Sequence, residues 1–238
     1  MYFVKGMLDI IIPTKNEEKY LPKLLDSIKM QNIKDIEIII ADAGSTDKTK
    51  EIAKKYHCKI VKGGMPAKGR NQGAKYSKGE YLVFIDADVI LPDGFLKEAL
   101  KEFEERGLDI AGTLQLPIST GNKLKDFICR IIYAIPNQWM KSMEKFKKPY
   151  MQICMFVKKE TYKKTGGFDE KIIYAEDSEY AKRASKSGKF GILRAGKIMN
   201  SPRRIEKEGL KFILKVIYFN TGRFFGHEFV ENSKVKFF

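Results

Sequence analysis

The sequence predicts an α/β fold around a mainly parallel sheet, and three observations carry that expectation. The first hundred residues alternate short β-branched runs with longer helical patterns, which is how βαβ units read. The short runs are almost continuously hydrophobic, as strands covered on both faces must be. The chain has 238 residues and 43% hydrophobic composition, enough for one large core.

The runs Leu8 to Ile12, Ile36 to Ala41, Cys58 to Val61 and Tyr81 to Ile85 are the expected strands. A first helix is expected after Asn16, with Glu17 and Glu18 in its opening turn. A second follows Ser45 and Thr46, which with Asp47 are good capping residues, and a third starts near Gly69. After Asp109 the pattern changes. Leu124, Phe127, Ile128, Ile131, Ile132 and Ile135 recur at helical spacing until Pro136 ends or kinks the segment. Ile153 to Val157 reads as a further strand. Glu176 to Ser187 reads as a helix stopped by Gly188, and a last long helix is expected from about Glu208 to Thr221.

No apolar run reaches the roughly 20 residues that a membrane-spanning helix needs, because Arg130 and the lysines after Leu210 interrupt the two best candidates. The amino terminus lacks the pattern of a signal peptide, and a cytoplasmic location is expected. Cys58, Cys129 and Cys154 are too dispersed for a disulfide scaffold or a zinc site and read as buried thiols. The net charge of +15 is uneven: residues 141–164 carry +6 and residues 197–238 carry +5, leaving +4 for the rest. An anionic partner would therefore meet the second half, unless the lysines serve solubility alone. A basic nucleic-acid-binding protein is the competing class, but no recognition helix, zinc finger or RNA-binding sheet motif accompanies the charge.

Ligands of open parallel sheets bind beyond the carboxyl ends of the strands, and three such ends here are polar. They are Pro13-Thr14-Lys15-Asn16-Glu17, Asp42-Ala43-Gly44-Ser45-Thr46-Asp47 and Asp86-Ala87-Asp88. Asp86 and Asp88 repel each other unless a cation or hydrogen-bond donors intervene. Oxygen-only ligands of this kind suit Mg2+ or Mn2+ held jointly with substrate phosphates. The alternative is a simple turn into Pro92-Asp93.

Read in order, Ile10 to Glu17, Ala41 to Asp47, Gly69-Arg70-Asn71-Gln72-Gly73, Phe84 to Asp88, Gly166 to Glu170 and Glu176-Asp177 resemble the family 2 glycosyltransferases over roughly residues 8 to 190. The resemblance implies the GT-A fold: a mainly parallel, Rossmann-like sheet flanked by helices, with a variable carboxy-terminal acceptor region. It implies a single domain over 1–238, a nucleotide-sugar-binding half at 1–110 and an acceptor-binding half at 111–238. Pro13, Thr14 and Glu17 would then line the nucleoside pocket, Asp42 would receive the base, Asp86 the ribose, and Asp88 the metal. Arg70 would approach the diphosphate, with Lys68 assisting. Asp177 matches the catalytic base of a single, inverting displacement. A UDP-sugar or GDP-sugar is the implied donor.

Two departures from the family pattern matter. The usual aspartate pair before Gly-Ser is here Ala41-Asp42, which loosens nucleotide identity. The Gln-x-x-Arg-Trp motif of processive synthases is missing, which argues against long-chain synthesis. In its approximate place stand Asn200-Ser201-Pro202-Arg203-Arg204, whose guanidinium groups suit a diphosphate or merely a surface turn. His227 either completes a metal site or is structural. Lys207, Lys211 and Lys215 lie on one helical face beside Leu210, Phe212, Ile213 and Ile217. That face belongs at an anionic membrane surface or against the core. A lipid-linked or glycan acceptor is expected, with a polyprenyl phosphate as the alternative and a position on the cytoplasmic face of the membrane. A nucleotidyltransferase is excluded because Pro13 to Glu18 lacks a glycine-rich phosphate loop.

Overall fold

The computed structural model describes residues 7–146, 149–151, 153–173, 175–209 and 211. Strand β1 (Leu8–Thr14) lies inside the sheet, pairing in parallel with β2 (Ile36–Asp42) on one side and β4 (Tyr81–Ile85) on the other. The short β3 (Lys59–Lys62) extends β2 in parallel. Beyond β4 the sheet continues through antiparallel β7 (Cys154–Lys158) and β6 (Ile110–Pro117), then β8 (Phe190–Asn200) parallel to β6. The two-residue β5 (Val89–Ile90) closes the far edge, giving the order β3-β2-β1-β4-β7-β6-β8-β5. This α/β sheet is parallel in its first half and mixed in its second.

Two consequences follow from these directions. The chain reverses its course across the sheet between β1 and β4, a switch point of the kind that opens a crevice at carboxyl strand ends. The two antiparallel steps through β7 also bring β8 back parallel to β4, so Asn200 emerges at the same sheet edge as Thr14, Asp42 and Ile85.

Side chains alternate along β1: Ile10 and Ile12 enter one core layer and Ile11 the opposite one. The first layer holds α1 (Leu21–Lys29) and α4 (Phe95–Glu105), the second α3 (Pro66–Tyr76) and α7 (Glu176–Ala184). Helix α3 packs on β1 at glycine distance: a Cβ at Gly73 would lie 2.3 Å from Ile11 Cγ2, and one at Gly69 3.1 Å from Pro13 Cβ. That contact lays Arg70 over the strand ends.

Several elements differ from expectation. Asn16 adopts φ 56°, and the backbone carbonyl of Glu17 accepts the N–H groups of Tyr20 and Leu21, so α1 starts at Leu21 with Pro22 in its first turn. Glu17 and Glu18 therefore precede the helix. Ser45 and Thr46 do not cap α2 (Thr49–Lys55): Ser45 Oγ accepts the Asn16 N–H, Thr46 N–H donates to Asn16 Oδ1, and only Asp47 accepts the Thr49 N–H. Gly188 is no helix stop, since α7 ends at Ala184. A Cβ at Gly188 would come 2.8 Å from that of Asp109, so close packing needs the glycine there. Helix α5 (Lys123–Lys145) does not end at Pro136, which lies inside it and is buried. Helix α6 (Lys159–Thr165) and α8 (Arg203–Glu208) were not anticipated, nor were α4, β5, β6 and β8. The expected helix over 208–221 falls, after Gly209 and apart from Lys211, outside the described residues, as does His227. Among the described residues no helix is long and apolar enough to cross a membrane.

Candidate active site

At the ends of β1 and β2, Asp42 is buried and its carboxylate organises the following turn. Its Oδ2 accepts the N–H groups of Gly44 and Ser45 at 3.0 Å, and Thr14 Oγ donates to Oδ1 at 3.4 Å. A cleft of about 400 Å³ opens beside it, lined by Asp42, Gly44, Lys50, Ile60, Val61 and Gly63 among others. One wall is apolar and another carries an anchored carboxylate with nearby backbone. A flat heterocycle with polar edges suits that composition.

Toward β4, the two aspartates each receive their own guanidinium. Asp86 accepts from Arg70 Nη2 at 2.9 Å, and Asp88 Oδ2 lies 2.8 Å from Arg203 Nε. The repulsion between them is thus relieved within the protein by two arginines from distant segments, the hydrogen-bond donors that the sequence left open beside a metal ion. Arg203 also grips Glu17 with both terminal nitrogens, at 2.8 and 3.0 Å, and lies 4.7 Å from the Tyr20 ring centre. Burial pushes the Asp88 carboxyl up to about 6, against the pull of Arg203 and Arg204 and with the help of Asp86 and Glu17. Burial works against the charge of Arg203, yet Glu17 and Asp88 outweigh it and hold the guanidinium firmly protonated. Arg204 next to it is exposed. The loop is tied to Asp88 through its backbone as well, because Ser201 N–H donates to the Asp88 carbonyl at 3.0 Å.

Arg70 is buried and forked between two carboxylates. One is Asp86 and the other is Glu176, in the first turn of α7. Burial opposes its charge, but Glu176, Asp86 and Asp177 together raise its pKa above the ordinary arginine value. Asp177 stands beside Glu176, half-buried, its Oδ1 accepting the Ser178 N–H at 2.7 Å. The position of α7 is fixed by Asn71, which follows Arg70 on α3. Asn71 Oδ1 accepts the Phe168 N–H at 2.8 Å, and its amide donates to the Phe168 carbonyl at 2.9 Å. The Phe168 ring lies 5.6 Å from the Arg70 guanidinium and stacks on Tyr180 of α7.

The expected site residues therefore fall into three groups along one sheet edge: Thr14 with Asp42, Glu17 with Arg203 and Asp88, and Arg70 with Asp86 and, beside the unexpected Glu176, Asp177. Pro13 supports the edge by packing against α3 at Gly69. A sequence model of the family described as glycosyl transferase family 2 matches residues 9–163 of this chain, well over half of it. The chain belongs to glycosyl transferase family 2.

Relatives within and around the family agree on the architecture. The poly(ribitol-phosphate) β-N-acetylglucosaminyltransferase TarS of Staphylococcus aureus is 33% identical over 111 residues, which cover 42% of this chain and 19% of that protein. The GalNAc(5)-diNAcBac-PP-undecaprenol β-1,3-glucosyltransferase of Campylobacter jejuni is 30% identical over 129 residues, 50% of this chain and 41% of its own length. The matched stretch is thus less than half of either relative. The crystal structure of TarS 1–349 with UDP-GlcNAc superposes with a TM-score of 0.65 at 21% identity, over 91% of this chain and 66% of that one. A mannosyltransferase of Pyrobaculum calidifontis with GDP-Man and Mn2+ gives a TM-score of 0.63 at 21% identity, over 82% and 56%. These likenesses place the fold among the GT-A glycosyltransferases.

Four residues that the sequence reading passed over hold this family 2 site together. Glu176 stood beside Asp177 in the quoted motif with no role of its own, although it carries one arm of Arg70. Asn71 and Phe168 stood inside the quoted motifs, where an amide beside the arginine was the available signal. Tyr20 had none. Among the described residues, no three histidine, cysteine or acidic side chains form a ready metal cage. The donor chemistry of Asp88, a buried carboxylate with few protein co-ligands, fits a hard divalent ion that takes its remaining ligands from phosphate and water.

Proposed function

We propose that this chain moves a sugar from a nucleoside-diphosphate sugar to an acceptor hydroxyl by single displacement with inversion. In this reading residues 1–110 bind the donor and residues 111–238 the acceptor, within one domain. One observation carries the proposal: the Asp42 cleft, the Asp86 and Asp88 pair and Asp177 open along one edge of the sheet, with arginines between them.

Asp42, Pro13, Thr14 and Glu17 would hold the nucleoside, the base entering the cleft and Asp86 facing the ribose. Arg203 and Arg204 would meet the diphosphate, for which Arg203 exchanges a carboxylate partner for phosphate oxygens. Arg70, with both arms engaged, acts through Asp86 and Glu176 by fixing where those carboxylates stand. Asp88 would hold Mg2+ or Mn2+, which when bound neutralises charge on the departing diphosphate. Arg203 and Arg204 would add fixed positive charge at the same place. Asp177, half-buried at a helix start, would take the proton of the attacking hydroxyl, an assistance worth about 10²- to 10⁴-fold.

The donors in similar structures, UDP-GlcNAc and GDP-Man, support a UDP- or GDP-sugar here. The acceptors in the relatives' names, a poly(ribitol phosphate) and an undecaprenyl-diphosphate glycan, support a lipid-linked or glycan acceptor. The test is a donor screen reading nucleoside diphosphate release with and without Mn2+. Release from one donor, lost in Asp177→Ala and Asp88→Ala, supports the reading; indifference to every nucleotide sugar overturns it. Asp177→Asn separates acceptor classes. Near-complete loss marks a hydroxyl, whereas modest loss marks a phosphate acceptor that needs no deprotonation.

A further inference from the structure

Helix α5 is apolar on two opposite sides. Its inner side, with Cys129, Tyr133, Pro136, Met140 and Met143, is buried against β6 and β8. Its outer side presents Leu124, Phe127, Ile128, Ile131 and Ile135, between 46% and 69% exposed. Their spacing of three or four residues aligns them in one ridge, on the order of 16 Å long at about 1.5 Å per residue. A ridge of five large apolar side chains in water is the kind of surface that marks an interaction site.

The flanks of the ridge are basic. Lys123, Arg130 and Lys141 are separated by nearly whole numbers of helical turns and so line one side of it, and exposed Lys125 lies on the other. The helix has two acidic residues, and both are engaged elsewhere. Asp126 accepts from Ser119 Oγ at 2.6 Å and from Thr120 at 2.7 Å, and Glu144 is bound by Arg106 and Arg194. An apolar ridge with cationic flanks complements a surface whose interior is hydrocarbon and whose rim is anionic. We propose that the outer face of α5 docks on an anionic phospholipid membrane. A second copy of the chain would bring the same cationic flanks against themselves, and a nucleic acid would leave the apolar ridge in water.

The position of the face gives the docking a use. On the inner side of the same helix, Tyr133 Oη donates to the Ser201 carbonyl at 3.2 Å, in the loop that carries Arg203. A membrane against the outer face therefore lies about one helix diameter, roughly 10 Å, from the loop beside Asp88. If the acceptor is lipid-linked, as proposed above, its headgroup would be presented beside the transfer site. That last step rests on the proposed function, whereas the docking itself does not.

The test is flotation of the full chain with phosphatidylcholine vesicles and with vesicles that also contain phosphatidylglycerol. Binding is expected on the anionic vesicles, weaker on the neutral ones. Phe127→Glu combined with Ile131→Glu should lower partitioning on the order of 100-fold, because two large apolar side chains no longer enter the interface. Both positions are exposed, so the melting temperature of the double variant should match that of the native chain, and its nucleotide binding in solution should be unchanged. Failure of the native chain to float on anionic vesicles overturns the proposal, as does a double variant that floats equally well. A native dimer that the double variant splits, with no flotation by either, assigns the face to a second copy. A double variant that melts much lower, again without flotation, assigns it to another part of this chain. Nucleotide binding is the independent readout: its absence alongside normal flotation defeats the transferase reading and leaves the docking standing.

Discussion

Arg203 ties Glu17 to Asp88, and its removal has calculable consequences. In Arg203→Ala, Glu17 loses two hydrogen bonds of 2.8 and 3.0 Å and Asp88 loses a contact of 2.8 Å, while both carboxylates stay buried. Breaking a fully buried pair costs about 3–5 kcal/mol. Arg203 is 30% exposed, so solvent screening reduces this to about 1–3 kcal/mol. For a chain of this size that corresponds to a fall in melting temperature of roughly 2–12 °C. A divalent ion relieves two uncompensated carboxylates better than it relieves paired ones, so Mn2+ should raise the melting temperature of Arg203→Ala more than that of the native chain. Arg203→Lys should recover only part of the loss, because an ammonium cannot grip Glu17 with two nitrogens and reach Asp88 with a third. Donor turnover, followed as nucleoside diphosphate release, should fall by about 10²-fold in Arg203→Ala if the guanidinium stabilises the departing diphosphate. Differential scanning fluorimetry with and without Mn2+ is the assay. Equal melting temperatures and equal Mn2+ shifts in Arg203→Ala and native protein would refute the reasoning.

Further outcomes follow from other contacts. Arg70→Met leaves Asp86 and Glu176 without their shared cation and should cost about 3–5 kcal/mol, measured by urea unfolding, because Arg70 is almost fully buried. Gly73→Ala forces a Cβ to within 2.3 Å of Ile11 Cγ2 and should destabilise by about 1–3 kcal/mol in the same experiment. Glu144 accepts from Ile192 N–H, Arg106 and Arg194. Although burial works to raise its pKa, these partners win and hold it below the usual carboxylate value. A depressed carboxylate stabilises the fold above its unfolded pKa and loses that contribution as pH falls through the folded one. Glu144→Gln should therefore cost stability at neutral pH and little at strongly acidic pH, as read from melting curves across that range.

The parts of the fold legible in the sequence are those whose burial is uniform. Strands β1, β2 and β4 are covered on both faces, so their hydrophobic runs stand out unbroken. Strands β6 and β8 were missed because polar residues interrupt them. Gln115 and Asn200 are buried near their ends and joined at 3.2 Å, and Asn137 bonds the backbone of Gln115 on both its N–H and C=O. A polar network of that kind looks like a loop until its partners are seen. On α5, the periodic residues that announced the helix are largely those facing outward, since periodicity shows that a helix has a stripe without showing what covers it. In the site, the carboxylates could be named from their places after strands, but their partners could not. Glu17 and Arg203 lie 186 residues apart, and Arg70 and Glu176 106 apart. Only the return of β8 to the sheet edge, and the docking of α7 through Asn71, bring them together.

Electron paramagnetic resonance of Mn2+ titrated into the full chain, alone and with UDP or GDP, tests most directly whether these carboxylates surround a cation held with a diphosphate. Weak Mn2+ binding alone, tight binding once the matching nucleotide is present, and loss of that gain in Asp88→Ala are expected. Mn2+ affinity that ignores both nucleotides, or that survives Asp88→Ala unchanged, would contradict that arrangement.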